Sequence, residues 1–425
     1  MTLKTKRAYK TELKPNRTQE KALANHAGAA RFAYNWGLAR KSESYRLTGR
    51  SPNAIELHRE LNALKKTEFP WLYEVSKCAP QEALRDLDRA FTHFYRRAKE
   101  KKKGKLKGKV GFPRFKSRRR GLGSFRLTGS IHVEARRVKL PCLGWTRLKE
   151  KGYLPADGTP GVHVLSATVS ERAGRWFVSL QVEQEMEVEE ATGPPTGVDL
   201  GVKTLAVCSH GNDNHTHCEN PKALYTGAKK LSRLQKKLSR QEKGSNRREK
   251  TRKRIARQHM RISRVRSDAV HKATSRIVAK AKPPSERPYV IGVEDLNVSG
   301  MMKNRRLARA VADSSMREFR RQLAYKCYWY GIDLVVVPRF EATSKPCSKC
   351  GWVKEDLTLS DRVFVCDSGG HTADRDDNAS ENIRLLAVSS TERVNGRGGD
   401  VRPLVSERRT PEKRQSGEMA HLSSF

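Results

Sequence analysis

The stretch Thr196–Ser209, TGVDLGVKTLAVCS, decides how the second half of this chain is read. Apolar residues on either side of a Gly turn describe a strand, a tight reversal and a second strand, with Asp199 near the turn. Further along, Tyr289–Leu296 (YVIGVEDL) is a short, mostly apolar run suited to a buried central strand, and Glu294 falls at its C-terminal end. Asp374–Ala387 (DRDDNASENIRLLA) opens a helix. Its Ile383, Leu386 and Ala387 share one face, and Asp374, Asp376 and Asp377 lie in or before its first turn.

Singly, each acid has an ordinary explanation: Asp199 as a turn cap, Glu294 in a strand-end salt bridge, the aspartates as helix N-caps. Together they meet a chemical requirement. Two divalent ions about 3.5–4 Å apart, one activating water and the other stabilising the leaving oxygen of a phosphodiester, must be held by several carboxylates. Hard oxygen ligands suit Mg²⁺, which keeps waters for its substrate. Carboxylates from a first hairpin, a middle strand and a late helix are how a ribonuclease H-like sheet assembles such a site.

Towards the N-terminus the pattern changes. Residues 3–13 (LKTKRAYKTEL) alternate as a strand does, and Pro15 ends the run. From Thr18 to about Lys99 the period is helical. There Gln81–Arg97 (QEALRDLDRAFTHFYRR) starts directly after Pro80 and places Leu84, Leu87, Phe91, Phe94 and Tyr95 on one face. Ser124–Glu185 is rich in Val, Leu, Trp and Gly in short alternations, which predicts several strands in a small barrel or sandwich. If the first strand joins that sheet, the helical block is an insertion into a β-domain. A polar linker, Met186–Thr196, precedes the second half, and beyond Val388 the periodicity is lost and the tail reads as disordered.

Charge limits the partners. The 425 residues carry 87 Lys and Arg against 46 Asp and Glu, a net +41, which would push a compact state apart unless a polyanion neutralised it. Arg96–Arg120 holds fourteen of the cations against Glu100 alone, and Lys229–Arg266 holds seventeen against Glu242 and Glu249. The second segment also has Leu231, Leu234, Leu238, Ile255, Ile262 and Val265 at helical spacing, so it reads as a basic amphipathic hairpin lying against phosphates. Arg114 and Lys116 in the first segment and Arg247, Arg248 and Arg254 in the second are candidate nucleic-acid contacts. Gln81 is another, since Gln can bond bidentately to an adenine edge; a merely polar first-turn residue is the competing reading. The apolar runs, such as Leu334–Val337, fall far short of the roughly 20 residues of a membrane span. The basic N-terminus has no apolar stretch behind it to make a secretory signal. A cytoplasmic protein with no membrane partner is expected.

These stretches carry a family resemblance. GVDLGVKTLAV at Gly197–Val207, GVEDLNVSGM at Gly292–Met301, CSKCG at Cys347–Gly351 and HTADRDDNASENI at His371–Ile383 resemble the TnpB family of transposon-encoded RNA-guided nucleases, which are similar to compact type V CRISPR effectors. Upstream, Asn35–Trp36, Gln81–Phe91 and GFPRFKSRRR at Gly111–Arg120 resemble it too. The resemblance implies a multidomain α+β protein in which a small β-barrel (1–14 and 124–190) carries a helical recognition domain with a basic loop (15–123). A RuvC-type, ribonuclease H-like nuclease domain follows (191–345 and 372–390, with a basic helical hairpin at 226–280). It is interrupted by a zinc-ribbon-like insertion (346–371) and trailed by a disordered tail (391–425). It implies metal-binding, catalytic roles for Asp199, Glu294 and Asp376, with two Mg²⁺ ions. The implied partners are a guide RNA from the transposon end, with one protein per RNA, and duplex target DNA beside a short adjacent motif. The implied setting is prokaryotic and nucleoid-associated.

Cys347, Cys350 and Cys366 have structural-zinc spacing, while Cys78, Cys142, Cys208, Cys218 and Cys327 are scattered as buried thiols are. The family's fourth zinc position is Gly369 here. His371 is the expected substitute ligand and Asp367 a weaker one; a ribbon that folds without metal is the competing reading. Two other functions stay open on the sequence: an RNA-guided DNA-binding repressor that has lost cleavage, and a nonspecific nucleic-acid-binding transposition accessory protein. The intact acids argue against the first, and the long folded preamble against the second.

Overall fold

The computed structural model describes residues 2–106, 108–118, 121–358 and 361–395. Its contacts divide the chain into two compact units, one of residues up to Glu187 with Ser232–Met260, the other of Val188–Leu231 with the described residues from Arg261 on.

The first unit begins with strand β1 (Thr2–Lys14), followed by helices α1 (Arg17–Thr48), α2 (Ala54–Leu64) and α3 (Cys78–Lys102). Asn16 and Asn53 start α1 and α2 with reciprocal capping boxes to Gln19 and Glu56, and Gly49 ends α1 in the left-handed conformation that favours glycine. Helix α3 starts at Cys78 rather than Gln81, so Pro80 sits inside its first turn. Proline is tolerated there because those N–H groups have no intrahelical acceptor. Leu84, Leu87 and Phe91 are buried on the expected face, but Tyr95 is 55% exposed, because the face turns outward near the end of the helix.

Strands β2 (Ser124–Leu127), β3 (His132–Val133), β4 (Arg137–Leu140), β5 (Gly144–Leu148), β6 (Val162–Arg172) and β7 (Arg175–Glu187) complete a seven-stranded sheet in the order β2-β6-β7-β1-β5-β4-β3. β1 pairs antiparallel with β7 over most of its length and with β5 at Leu13 and Lys14. The helices α1 to α3 therefore leave and re-enter a single sheet. Leu23, Leu57 and Leu84 of the helices and Leu127, Val169 and Leu180 of the sheet belong to one buried cluster.

The second unit is built on β8 (Thr196–Asp199), β9 (Thr204–Ser209) and β10 (His215–Glu219), which form an antiparallel meander. The chain then makes α4 (Ala223–Ser239) and α5 (Asn246–Ile277), the basic hairpin, before β11 (Val290–Glu294). After α6 (Val298–Met301), α7 (Ala308–Ser314) and α8 (Met316–Trp329) comes β12 (Asp333–Val337). β11 runs parallel to both β8 and β12, giving the order β10-β9-β8-β11-β12. Val290, Ile291 and Val293 are fully buried, as a central parallel strand covered on both faces requires.

Last come β13 (Val363–Val365) and β14 (Thr372–Asp374), a small two-stranded ladder, and α9 (Arg375–Asn395). α9 continues to Asn395, so residues 391–395, expected to begin a disordered tail, are helical. The rest of that expectation, from 396 on, lies outside the described residues. Among the described residues no helix is long and apolar enough to cross a membrane.

Candidate functional site

Parallel pairing sets the first two acids side by side. Ile291, Gly292 and Val293 face Thr196, Gly197 and Val198, so Glu294 and Asp199 are the next residues out at the carboxyl ends of neighbouring strands. Such strand ends, beside the point where a sheet changes direction, are where open α/β sheets place their ligands.

The third acid arrives on α9, which packs across the sheet through glycines. A Cβ on Gly197 would lie 2.0 Å from the carbonyl oxygen of Ser380, and one on Gly292 would lie 2.7 Å from that of Ile383. Only glycine permits this approach of helix to strands, and it brings the first turn of α9 over the ends of β8 and β11. Asp374 Oδ1 accepts the N–H of Asp376 at 2.8 Å and so caps the helix. Asp377 lies 3.1 Å from His217 Nε2 of β10. Asp376 is left near enough to Asp199 for its charge to act there.

The electrostatics register this convergence. Burial, then the charges of Glu294 and Asp376, push the Asp199 carboxyl up to about 8, against weaker downward pulls from the Leu200 N–H and Arg375. Burial and the charges of Asp374 and Asp376 also raise Asp377, which His215 and His217 partly offset. A buried carboxylate that feels two further acids is a hard-oxygen environment that a divalent cation suits.

Residues other than the acids help to hold the site, Thr343 outside every quoted motif and Asn378 and Asn382 within HTADRDDNASENI. Thr343 Oγ1 donates to Glu294 Oε1. Asn378 accepts the Ser348 N–H at 2.9 Å and donates to the Pro346 carbonyl at 2.8 Å, and Asn382 donates to the Thr343 and Pro346 carbonyls at 2.9 and 2.8 Å. Two buried asparagines on α9 thus fasten the segment from Thr343 to Ser348, and with it the thiol cluster, to the helix that bears Asp376. Only the pattern of amides at 378 and 382, one helical turn apart, could have signalled this.

The thiols of Cys347, Cys350 and Cys366 offer ligand atoms within 4.8 Å of one another. The His371 imidazole is not among the atoms within that distance; its carbonyl accepts the Cys366 N–H at 2.8 Å. Asp367 is turned to Lys354 Nζ, 3.1 Å away. At the family's fourth position, a Cβ on Gly369 would stand 3.9 Å from Cys350 Sγ and 4.0 Å from Cys366 Sγ.

The candidate nucleic-acid residues divide into free and engaged. Arg114 is exposed, whereas Lys116 Nζ lies 3.8 Å from the Tyr34 ring centroid and the Lys116 backbone is bonded both ways to Asn35, at 2.8 and 2.9 Å. Asn35 and the GFPRFKS loop, separate motifs in the sequence, are one contact. Phe112 packs edge-on against Phe91 and Phe94, while Phe115 remains 59% exposed. Arg247 and Arg254 are exposed, but Arg248 Nη1 donates to the Leu238 and Gln241 carbonyls, closing the turn between α4 and α5. Gln81 is half-buried in the second turn of α3.

Comparison with known proteins follows the same outline. Residues 167–305 match a family model described as "Probable transposase" (OrfB of IS605), and 317–383 match the "Cas12f1-like, TNB domain". Residues 1–50 match a "Helix-turn-helix domain", although they fold here as strand β1 and the single long helix α1. The chain is 33% identical over 419 residues to a Streptomyces pristinaespiralis protein named "Putative RNA-guided DNA endonuclease", covering 96% of this chain and 95% of that one. It is also 33% identical over 400 residues to the Escherichia coli K12 protein of the same description, InsQ, covering 90% and 92%. Among solved structures it resembles the mini-RNA-guided endonuclease CRISPR-Cas_phi3, at 10% identity and a TM-score of 0.47 over 90% of this chain and 92% of that one. Matches of this identity, running nearly end to end, make the chain a homologue of RNA-guided DNA endonucleases. It belongs to the TnpB family.

Proposed function

We propose that this chain cuts DNA at sites selected by a bound guide RNA, with Asp199, Glu294 and Asp376 holding two Mg²⁺ ions at the carboxyl end of the five-stranded sheet. The observation that carries the reading is that three acids distant in sequence meet electrostatically: the Asp199 carboxyl, pushed up to about 8 mainly by burial, also feels the charges of Glu294 and Asp376. When bound, the ions would polarise a water and neutralise charge developing on the phosphodiester. The protein's part is placement: β8 and β11 fix two carboxylates by register, Thr343 orients that of Glu294, and α9 carries the third.

The strand order β10-β9-β8-β11-β12, a meander followed by two parallel strands, supports a ribonuclease H-like, RuvC-type domain. The shared membership of β1 in both halves of the seven-stranded sheet supports a barrel-like wedge around the helical insertion. On this reading the basic loop and the α4–α5 hairpin bind a guide RNA transcribed from the transposon end, one protein to each RNA. The β-domain with α1–α3 reads the short duplex motif beside the target, since base pairing reads the rest. The thiol cluster holds zinc in a structural role. The protein works in the cytoplasm, on the nucleoid.

The test is to sequence RNA that copurifies with the protein and to offer the complex a matching duplex with Mg²⁺. A defined RNA and metal-dependent cutting are expected. Guided binding without cutting by the wild type would transfer the chain to the repressors.

A further inference from the structure

Beside the acids lies a cavity of about 500 Å³ whose chemistry is unlike theirs. Leu200, next to Asp199, forms part of its wall, and Glu294 forms another part, so it opens directly onto the proposed metal site. Leu296, Met316 and Ala324 add apolar lining beside the polar Asn297 and Ser299, and Arg317, Arg320, Arg321 and Arg339 line it too. The volume falls within the roughly 300–1,000 Å³ of small-ligand pockets, and an apolar body with a few convergent charges is their usual composition.

The rim is assembled by the residue after the metal-binding glutamate. Asp295 pairs with Arg320 Nη1 through one carboxylate oxygen and with Arg339 Nη2, at 2.8 Å, through the other. Its carbonyl also accepts Arg339 Nε at 3.1 Å. Those guanidiniums lower the Asp295 pKa, Arg320 most of all. Asp295 thus holds two arginines, from α8 and from the end of β12, at one edge of the cavity. Arg317, one turn before Arg320, is exposed and has no carboxylate partner among the described residues, so the rim keeps a cation with nothing to neutralise it.

Resting on the endonuclease reading above, we infer that this cavity seats one nucleotide of the DNA strand being cut. The base lies against Leu200, Leu296, Met316 and Ala324, and the flanking phosphate meets Arg317 with the Asp295-held pair. A flexible single strand presented to the acids would slide without such an anchor. Gripping one nucleoside next to the reacting phosphate fixes where the chain is broken, as orientation of a reactant requires. Arg317 and Ala324 are positioning residues in this scheme. Base seating in an apolar slot tolerates all four bases, which suits an enzyme whose sequence choice belongs to its guide.

The experiment uses the protein with its copurified RNA and a matching duplex in which a single abasic site is moved, one position at a time, through the cleaved region. For the wild type, one position should lower kcat/KM by at least about tenfold. In Ala324→Trp, which fills the cavity, that position should lose its special effect, with melting curves confirming the fold. Separately, a neutral methylphosphonate replaces each phosphate of the region in turn. At one phosphate, its effect and that of the surface change Arg317→Gln should fail to add, the double variant being little worse than either alone. An active wild type with a flat abasic profile, or strict additivity at every phosphate, overturns the pocket and leaves the endonuclease reading standing. A wild type that cuts no guided duplex removes both.

Discussion

Gly197 and Ser380 approach so closely that a Cβ on the glycine would lie 2.0 Å from the serine's carbonyl oxygen. The placement of Asp376 depends on that contact. Gly197→Ala should cost about 1–3 kcal/mol or more, as overpacking a rigid site does, because both the obstructing atoms and the strand are backbone. It should also depress cleavage beyond what the lost stability explains. Gly28→Ala, where a Cβ meets nothing within 4 Å, is the control and should leave melting temperature level or slightly raised. Equal melting temperatures for the two variants would refute the close-approach argument.

Replacing Asp199, Glu294 or Asp376 with Ala should abolish Mg²⁺-dependent cleavage while guided DNA binding persists, because the acids act on charge that develops only during reaction. Asp377→Ala, which removes a partner of His217, should do less. A dead Asp377→Ala beside a live Asp376→Ala, in the same cleavage assay, would reverse the assignment.

The purified protein should carry close to one equivalent of zinc, and Cys347→Ser should lose it; less than half an equivalent in the wild type would reject the bound form. Gly369→Cys should slow zinc loss to a chelator, since a Cβ there stands 3.9 and 4.0 Å from two of the sulfurs and a fourth thiolate closes a tetrahedron. An unchanged release rate would show that the fourth position is already filled.

Lys326 is buried, with its ammonium donating to the His271 carbonyl at 2.9 Å, Thr274 Oγ1 at 2.6 Å and Ser275 Oγ at 2.8 Å. Burial, with help from Lys280, lowers its pKa from 10.5 to about 8. Between those values the unfolded chain binds a proton that the folded chain does not, so stability rises with pH across the window and levels off at its lower value below about pH 8. The melting temperature of the wild type relative to Lys326→Met should therefore climb between pH 7.5 and 9.5. Parallel profiles would show that the lysine does not titrate there.

Arg247→Gln with Arg254→Gln should weaken RNA binding and flatten its salt dependence, each lost phosphate contact releasing fewer counterions. Arg248→Gln should instead lower stability with little change of slope, because that guanidinium is spent on two carbonyls of the hairpin turn. Identical slopes for all three proteins would mean the exposed face of α5 is not the RNA surface.

The site's acids are legible in the sequence because chemistry constrains them locally: each sits at a strand end or helix start that short-range pattern can locate. The hairpin of β8 and β9 is legible for the same reason. What pairs with what is not. Nothing in HTHCE alternates by polarity, so β10 passes unread until its partner β9 is seen beside it. Thr343, Asn378 and Asn382 act through contacts over tens of residues, and no spacing rule connects a threonine in a loop to a glutamate on a distant strand. The basic segments show the opposite limit. Their charge is plain, but whether a given cation is free or already bonded, as Arg248 and Lys116 are, depends on folding that composition does not record.

Thr2 of β1 pairs with Glu187 of β7, 187 − 2 = 185 residues later. On a ribosome adding roughly 5–20 residues per second, that strand waits on the order of ten to forty seconds for its partner. The helices α1 to α3, whose contacts are local, can form during the wait. β1 meanwhile is an unpaired edge, and Lys4, Lys6, Arg7 and Lys10 along it are the kind of charge that keeps such an edge from joining another nascent chain. Part of the chain's positive charge thus serves its own folding, and a permuted chain in which β1 follows β7 directly would not need these cations for that purpose.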